Sequence, residues 1–186
     1  RTNLAIKIRE LSTAMDSIQK VENLNADFSY TPDRRFELTN VSLGAPGYNV
    51  VIDNITFMAD ILGKVSDMDN MGANIDSLYF QMGKTILNAK ASVKGLKKPT
   101  FELTSDLNVD LDELRQHIPD SLVEKISGNI SFALKSHGTI NLDSVETHIM
   151  PIAFEQTDMG LKVRDFSFAM PDDTLTRLDH LNLDFA

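Results

Sequence analysis

The sequence predicts a mainly β protein: a long curved antiparallel sheet, forming a half-open β-groove or a sandwich, with one or two short helices. Three observations carry this. Apolar side chains recur at every second position in segment after segment, as in Phe101, Leu103, Leu107, Val109 and Leu111, with Glu102, Thr104, Asp106, Asn108 and Asp110 between them. Turn signals arrive about every ten residues, the spacing of antiparallel strands rather than of strand-helix-strand units. One stretch, about residues 111–127, departs from period two: Leu111, Leu114 and Ile118 take helical spacing, Pro119 interrupts, Leu122, Val123 and Ile126 continue the stripe, and Gly128 stands where a helix ends.

The elements follow in order. Leu4, Ile6 and Ile8 alternate, although Leu4, Ile8, Leu11, Met15 and Ile18 also fit a helix stripe; residues 3–11 are read as a strand. Leu24, Ala26, Phe28 and Tyr30 make a second strand, and Thr31-Pro32-Asp33 turns it back. Phe36 and Leu38 then Val41 and Leu43 change parity, so a bulge is expected near Asn40. After the turn Gly44-Ala45-Pro46-Gly47, the run from Val50 to Phe57 changes parity again at Asp53-Asn54. Gly63 to Ala73 reads as a loop that holds at most a short helical turn. Ile75 to Met82 and Leu87 to Val93 form a hairpin about Gly83-Lys84, and Lys94 to Pro99 leads into the Phe101 strand.

Beyond Gly128, Ile130 to Leu134 and Ile140 to Leu142 are read as two strands joined by Ser136-His137-Gly138. Val145, Thr147 and Ile149 alternate, Pro151 interrupts, and Asp158-Met159-Gly160 is read as a turn between Ile152-Phe154 and Leu161-Val163. Phe166, Phe168 and Met170 precede Pro171-Asp172-Asp173, and Leu181, Leu183 and Phe185 close the chain. Segments Glu22–Phe28, Asp76–Met82, Arg164–Met170 and Asp179–Phe185 resemble one another, either through true repetition or because amphipathic strands after turns share this pattern.

The 186 residues are 42% hydrophobic, enough for one β-rich domain over residues 1–186, and no composition shift divides them. A net charge of −9 makes nucleic acid a poor partner. The absence of cysteine removes disulfides and thiol chemistry without fixing a compartment. Beginning at Arg1 and ending within an alternating run, the chain reads as an excised segment of a longer protein.

Catalytic motifs are not evident. His117, His137, His148 and His180 fall on separate elements without metal-ligand spacing, and His137 reads as a solvated turn residue. Asp67 to Leu78 lacks the fifth and twelfth ligands of a calcium loop. Asp110 or Asp112 is expected to cap a helix rather than to act as an acid or base. No Gly-rich phosphate loop or nucleophile elbow appears. The expectation is a non-enzyme with no cofactor and no metal.

The physical signal is the apolar face itself. A second sheet covers it in a sandwich; in a bent sheet it is shared with lipid chains, the candidate lining being Phe101, Leu103, Leu107, Val109, Ile130, Phe132, Leu134, Phe166 and Phe168.

The runs Lys97 to Leu103, Asp106 to Leu114, Ile118-Pro119 and Ile126 to Ile130 resemble the AsmA-type envelope proteins of Gram-negative bacteria, chiefly those of the Bacteroidetes, most closely over residues 75–142. That resemblance, extending to the TamB relatives, implies a periplasmic β-groove anchored in the inner membrane, with a part in outer-membrane assembly and phospholipid transport. It implies phospholipid or another acyl-chain lipid as partner, envelope proteins as further partners, and no catalytic residues. The alternative is a structural or protein-binding module of the cell envelope; a carbohydrate-active β-domain is third, disfavoured by the lack of Trp.

Overall fold

The computed structural model describes residues 3–14, 20–64, 66–67, 69–95, 98–140, 152–171 and 173–186. Ten strands run in chain order: β1 (Leu4–Ala14), β2 (Lys20–Tyr30), β3 (Arg35–Ala45), β4 (Val50–Leu62), β5 (Gly72–Met82), β6 (Thr85–Lys94), β7 (Thr100–Asp110), β8 (Lys125–Ile140), β9 (Ile152–Met170) and β10 (Asp173–Phe185). A five-residue helix, α1 (Leu111–Arg115), separates β7 from β8, and a single 3-10 turn, Pro46–Tyr48, precedes β4. Each strand pairs antiparallel with the next, giving one open sheet in the order β1 to β10. A meander of this kind needs only short local connections, which is what the regular turn signals supply.

The sheet is a single layer, so the sandwich alternative is not taken up by the described residues. Among them, the buried apolar side chains are few: Val41, Leu111, Val163 and Ala169. Along β7 the residues of the Phe101 parity are half-buried as far as Val109, whereas Glu102, Thr104 and Asp106 of the other parity are exposed. With no second layer among the described residues to cover either side, that asymmetry fits a curved sheet, which crowds side chains together on the inner face and spreads them on the outer one.

Bulges produce the bend. Register shifts between Leu38 and Val41 of β3, and between Ile52 and Ile55 of β4, fall where the sequence changes parity, with Asn40 in the left-handed region at φ 53°. Gly128 is a strand residue rather than a helix end. Its φ is 109°, and a Cβ there would stand 2.7 Å from both the Arg164 and Asp165 carbonyl oxygens, so β9 lies too close for any side chain.

The helical stretch is shorter than its sequence pattern. Asp110 caps α1 by accepting from the Glu113 N–H at 3.0 Å, but the helix stops at Arg115. Pro119 can give no amide to extend it, and Lys125 already begins β8, so Ile126 belongs to the sheet rather than to a helical stripe. Two expected turns are likewise absent. Ser136-His137-Gly138 and Asp158-Met159-Gly160 pair with each other's strands as parts of the continuous β8 and β9, His137 opposing Glu102 on one side and Gln156 on the other. His137 and Asp158 there belong to the outer face, Ser136 and Met159 to the inner one, and Gly138 marks a close approach, not a reversal. The Gly63 to Ala73 loop is also shorter, since Gly72 and Ala73 already pair with Lys94 and Val93. The readings on Met15, Ile18, Leu142, Val145, Thr147, Ile149, Pro151 and Asp172 lie outside the described residues.

One of the resemblances noted in the sequence is a true structural repeat. In β1 and β2, Glu10 and Asn23 have φ of 51° and 53°; in β9 and β10, Asp165 and His180 have φ of 50° and 55°. The Glu10 N–H reaches Asn25 Oδ1 and the Asn23 N–H reaches Ser12 Oγ, each at 3.1 Å. The Asp165 N–H reaches Asn182 Oδ1 at 3.0 Å and the His180 N–H reaches Ser167 Oγ at 3.2 Å. Arg9 pairs with Asp27 at 2.6 Å, and Arg164 pairs with Asp184 at 3.0 Å. The double bulge of β1–β2 therefore recurs eight strands later in β9–β10. Glu22–Phe28 and Asp179–Phe185 occupy equivalent places, while Arg164–Met170 is equivalent to the segment of β1 that starts at Arg9.

Candidate apolar groove

Register joins the half-patterns of the separate strands into continuous rows, because residues directly opposite one another in a ladder share a face. One row runs Ile6, Phe28, Leu38, Phe57, Leu78, Ala89, Ser105, Leu134 and Met159 across β1 to β9. A second runs Val41, Ile55, Phe80, Leu87, Leu107, Phe132, Leu161 and Phe185 across β3 to β10. The inner face is thus an apolar strip crossing the whole sheet, perpendicular to the strands.

All nine residues anticipated from the sequence lie on this face. Leu107 opposes Phe132, and Val109 opposes Ile130. Leu103 and Leu134 oppose Ser136 and Ser105, and Phe101 opposes Gly138. Phe166 and Phe168 follow the Asp165 bulge, which restores them to the same side as Val163, opposite Leu181 and Leu178. Sequence reasoning did not extend the lining to Leu38, Phe57, Leu78, Phe80 and Leu87, although each was legible as the apolar parity of its own strand. What was missing was the register, which only pairing supplies.

The strip has few polar interruptions. Ser136 is buried, its hydroxyl lying 2.8 Å from Thr157 Oγ1 and donating to the Gln156 carbonyl at 3.2 Å, so it presents no unpaired group to the face. Tyr30 and Phe36 stack in a tilted pair with centroids 4.8 Å apart. The strip is more open toward the sheet margins: Leu4, Ile6 and Leu11 of β1 and Leu181, Leu183 and Phe185 of β10 are all exposed.

Charge is confined to the outer face and the strand ends. Arg35 bridges Glu37 at 2.7 Å and both Asp60 and Asp76 at 2.8 Å, tying β3, β4 and β5 across their backs. The guanidinium holds the Glu37 and Asp76 carboxyls below their usual range, and the three acids raise Arg35 in return. Asn40 and Arg9 lower Asp27 through hydrogen bonds, and Arg177 and Lys125 lower Asp179. The hollows on the surface are open; one of about 390 Å³ lies on the outer face, where Ile86, Ala133 and Gly160 line it together with Asn88, Asp106, Asn108, Ser131 and Lys162, and Leu107 and Phe132 complete its lining.

Helix α1 sits at one end of the strands in the middle of the sheet, not along an edge. Its Glu113 carboxylate accepts the Lys84 N–H at 2.6 Å and its Asp112 accepts the Gly128 N–H at 3.1 Å, so it fastens the β5–β6 turn to the start of β8. Leu111, only 5% exposed, anchors it. Among the described residues the edges β1 and β10 carry no such cover.

Among the described residues no group of three or more His, Asp or Glu is placed to hold a metal, and no helix is long and apolar enough to cross a membrane. Comparison with models of protein families, with curated proteins and with solved structures finds no match.

Proposed function

We propose that this chain is a non-enzymatic lipid-binding or lipid-bridging segment whose inner face receives acyl chains. The observation that carries the reading is the apolar strip: one row of Leu, Ile, Val and Phe spans eight strands, a second row, interrupted by Ser105, spans nine, and among the described residues no second layer lies over them. An acyl chain gains about 0.8 kcal/mol per methylene on leaving water. It gains almost nothing on moving from a bilayer to an apolar groove, so such a face accepts and releases lipid without chemistry. The outer face, carrying most of the charge, keeps the other side of the same sheet in water.

The resemblance to AsmA-type proteins supports a setting for this activity: the periplasm, in a protein anchored in the inner membrane, with the groove passing phospholipid toward the outer membrane. Extraction of the purified chain with organic solvent followed by mass spectrometry tests the reading. Co-purified phospholipid or fatty acid, in amounts comparable with the protein, is expected. A folded, lipid-free chain that takes up no fluorescent fatty acid would overturn it, and would leave the protein-binding module of the envelope as the reading to pursue.

A further inference from the structure

The outer face holds one glycine that the fold does not require. Gly160 lies within β9, and a glycine inside a strand weakens it and marks a bulge, a close approach of backbone or a close approach of a ligand. No bulge is present: Phe132, Ala133 and Leu134 oppose Leu161, Gly160 and Met159 in unbroken register. Gly160 is not among the residues of positive φ. Among the described residues, a Cβ there would meet nothing nearer than the Phe185 carbonyl oxygen at 3.9 Å, an ordinary contact, whereas at Gly128 and Gly138 backbone leaves no room for one. Of the three reasons, the ligand is left.

Gly160 and its cross-strand partner Ala133 are the small residues of the outer-face hollow of about 390 Å³, a volume within the range of ligand sites, about 300–1,000 Å³. The polar groups around them are without partners. Asn88 and Asp106 on β6 and β7 and Lys162 on β9 are exposed, and among the described residues none of the three makes a hydrogen bond or an ion pair. Asn108 accepts from Ser131 Oγ at 2.9 Å, which leaves its amide N–H groups free among the described residues. Elsewhere on this face carboxylates such as Asp27, Glu37, Asp76 and Asp184 each meet an arginine. Asp106 and Lys162 do not meet, because β8 lies between their strands, which run about 10 Å apart.

We infer that this hollow binds a neutral sugar, one pyranose unit of a glycan. A carboxylate only accepts hydrogen bonds, an ammonium only donates them and an amide does both, so the ligand must carry donors and acceptors around its rim. The hydroxyls of a pyranose are both at once, and its C–H face lies against Ala133 and the bare backbone of Gly160. An acyl chain would set hydrocarbon against Asp106 and Lys162, and an anion would meet the Asp106 carboxylate. The site is on the face opposite the proposed lipid strip and stands or falls without it.

The test is a titration of the whole ¹⁵N-labelled chain, followed by amide NMR, with cellobiose, maltose and N,N′-diacetylchitobiose. With at least one of them, saturable shifts are expected at the side-chain amides of Asn88 and Asn108 and at the backbone N–H of Ala133 and Gly160. Gly160→Leu, which fills the hollow, and Asp106→Ala, which removes a charged acceptor, should each weaken that binding by about tenfold or more. Glu102→Ala, on the same face but outside the hollow, should leave it unchanged. Asp106→Ala carries the test by itself if Gly160→Leu loses the native amide spectrum, since the exposed Asp106 side chain makes no bond that the fold needs. Absence of saturable shifts with all three sugars, undiminished binding by Asp106→Ala or by a natively folded Gly160→Leu, or saturation of the same amides by free serine, a zwitterion, and not by sugar would each overturn the assignment.

Discussion

Phe101 and Phe154 meet edge to face with ring centroids 5.7 Å apart, although a whole strand separates β7 from β9. They meet over Gly138, which opposes both. A Cβ at that position would lie 2.1 Å from the Ala153 carbonyl oxygen and 3.0 Å from the Phe101 ring, so only hydrogen fits between the two aromatics. Gly138→Val should cost about 1–3 kcal/mol by overpacking, read as a shifted urea midpoint. Phe154→Ala, on a ring already 54% exposed, should cost less, about 1 kcal/mol.

The two copies of the double bulge permit an internal comparison. Ser12 and Ser167 do the same work, accepting the N–H of a left-handed residue on the neighbouring strand, but Ser12 is exposed and Ser167 is 1% exposed. Water can replace the first acceptor and not the second. Ser167→Ala should therefore cost about 1–3 kcal/mol and Ser12→Ala only a few tenths, measured as paired denaturation curves.

Capping of α1 should matter beyond the helix. Asp110→Ala removes the acceptor of the Glu113 N–H, a loss of about 1 kcal/mol at a helix start. Because Glu113 and Asp112 hold the Lys84 and Gly128 amides, faster hydrogen exchange at both is expected in the same variant.

Acid should loosen the outer face first. Asp27, Glu37, Asp76 and Asp179 are held below their usual range by their partners, so each binds a proton more weakly folded than unfolded. Their contribution is present above the unfolded carboxylate values, about 4, and is lost as pH falls below them. Arg35→Gln removes the cation that holds Glu37 and Asp76, and should lower stability at neutral pH and so flatten the acid limb of a stability–pH curve between about pH 5 and 2, while leaving the most acid end nearly unchanged.

Much of this architecture is written in local chemistry. Alternation named the strands because each has one dry and one wet face, and the parity slips at Asn40 and Asp53-Asn54 named two bulges that register bears out. The failures have a common cause. Ser136-His137-Gly138 and Asp158-Met159-Gly160 look like turns because polar and small residues usually are, yet here the strands run on through them, with Gly138 taken by the close approach of Phe101 and Ala153. The stripe from Leu114 to Ile126 fits a helix by spacing alone, and Pro119 together with the pull of β8 pairing ends it early. The repeat was half visible. Its Asn and Asp positions are plain in Glu22–Phe28 and Asp179–Phe185, but their meaning lies in cross-strand bonds that no single segment contains.

The central claim is that acyl chains lie on the inner face and not elsewhere. A photo-crosslinking amino acid placed at Leu107 and, separately, at its neighbour Asn108 tests this most directly, since the two side chains stand on opposite faces of β7. Crosslinked lipid, identified by intact mass, should form from position 107 and at least tenfold less from position 108. Equal labelling from both positions, or labelling from 108 alone, in chains that keep their β-sheet circular dichroism, would contradict the account.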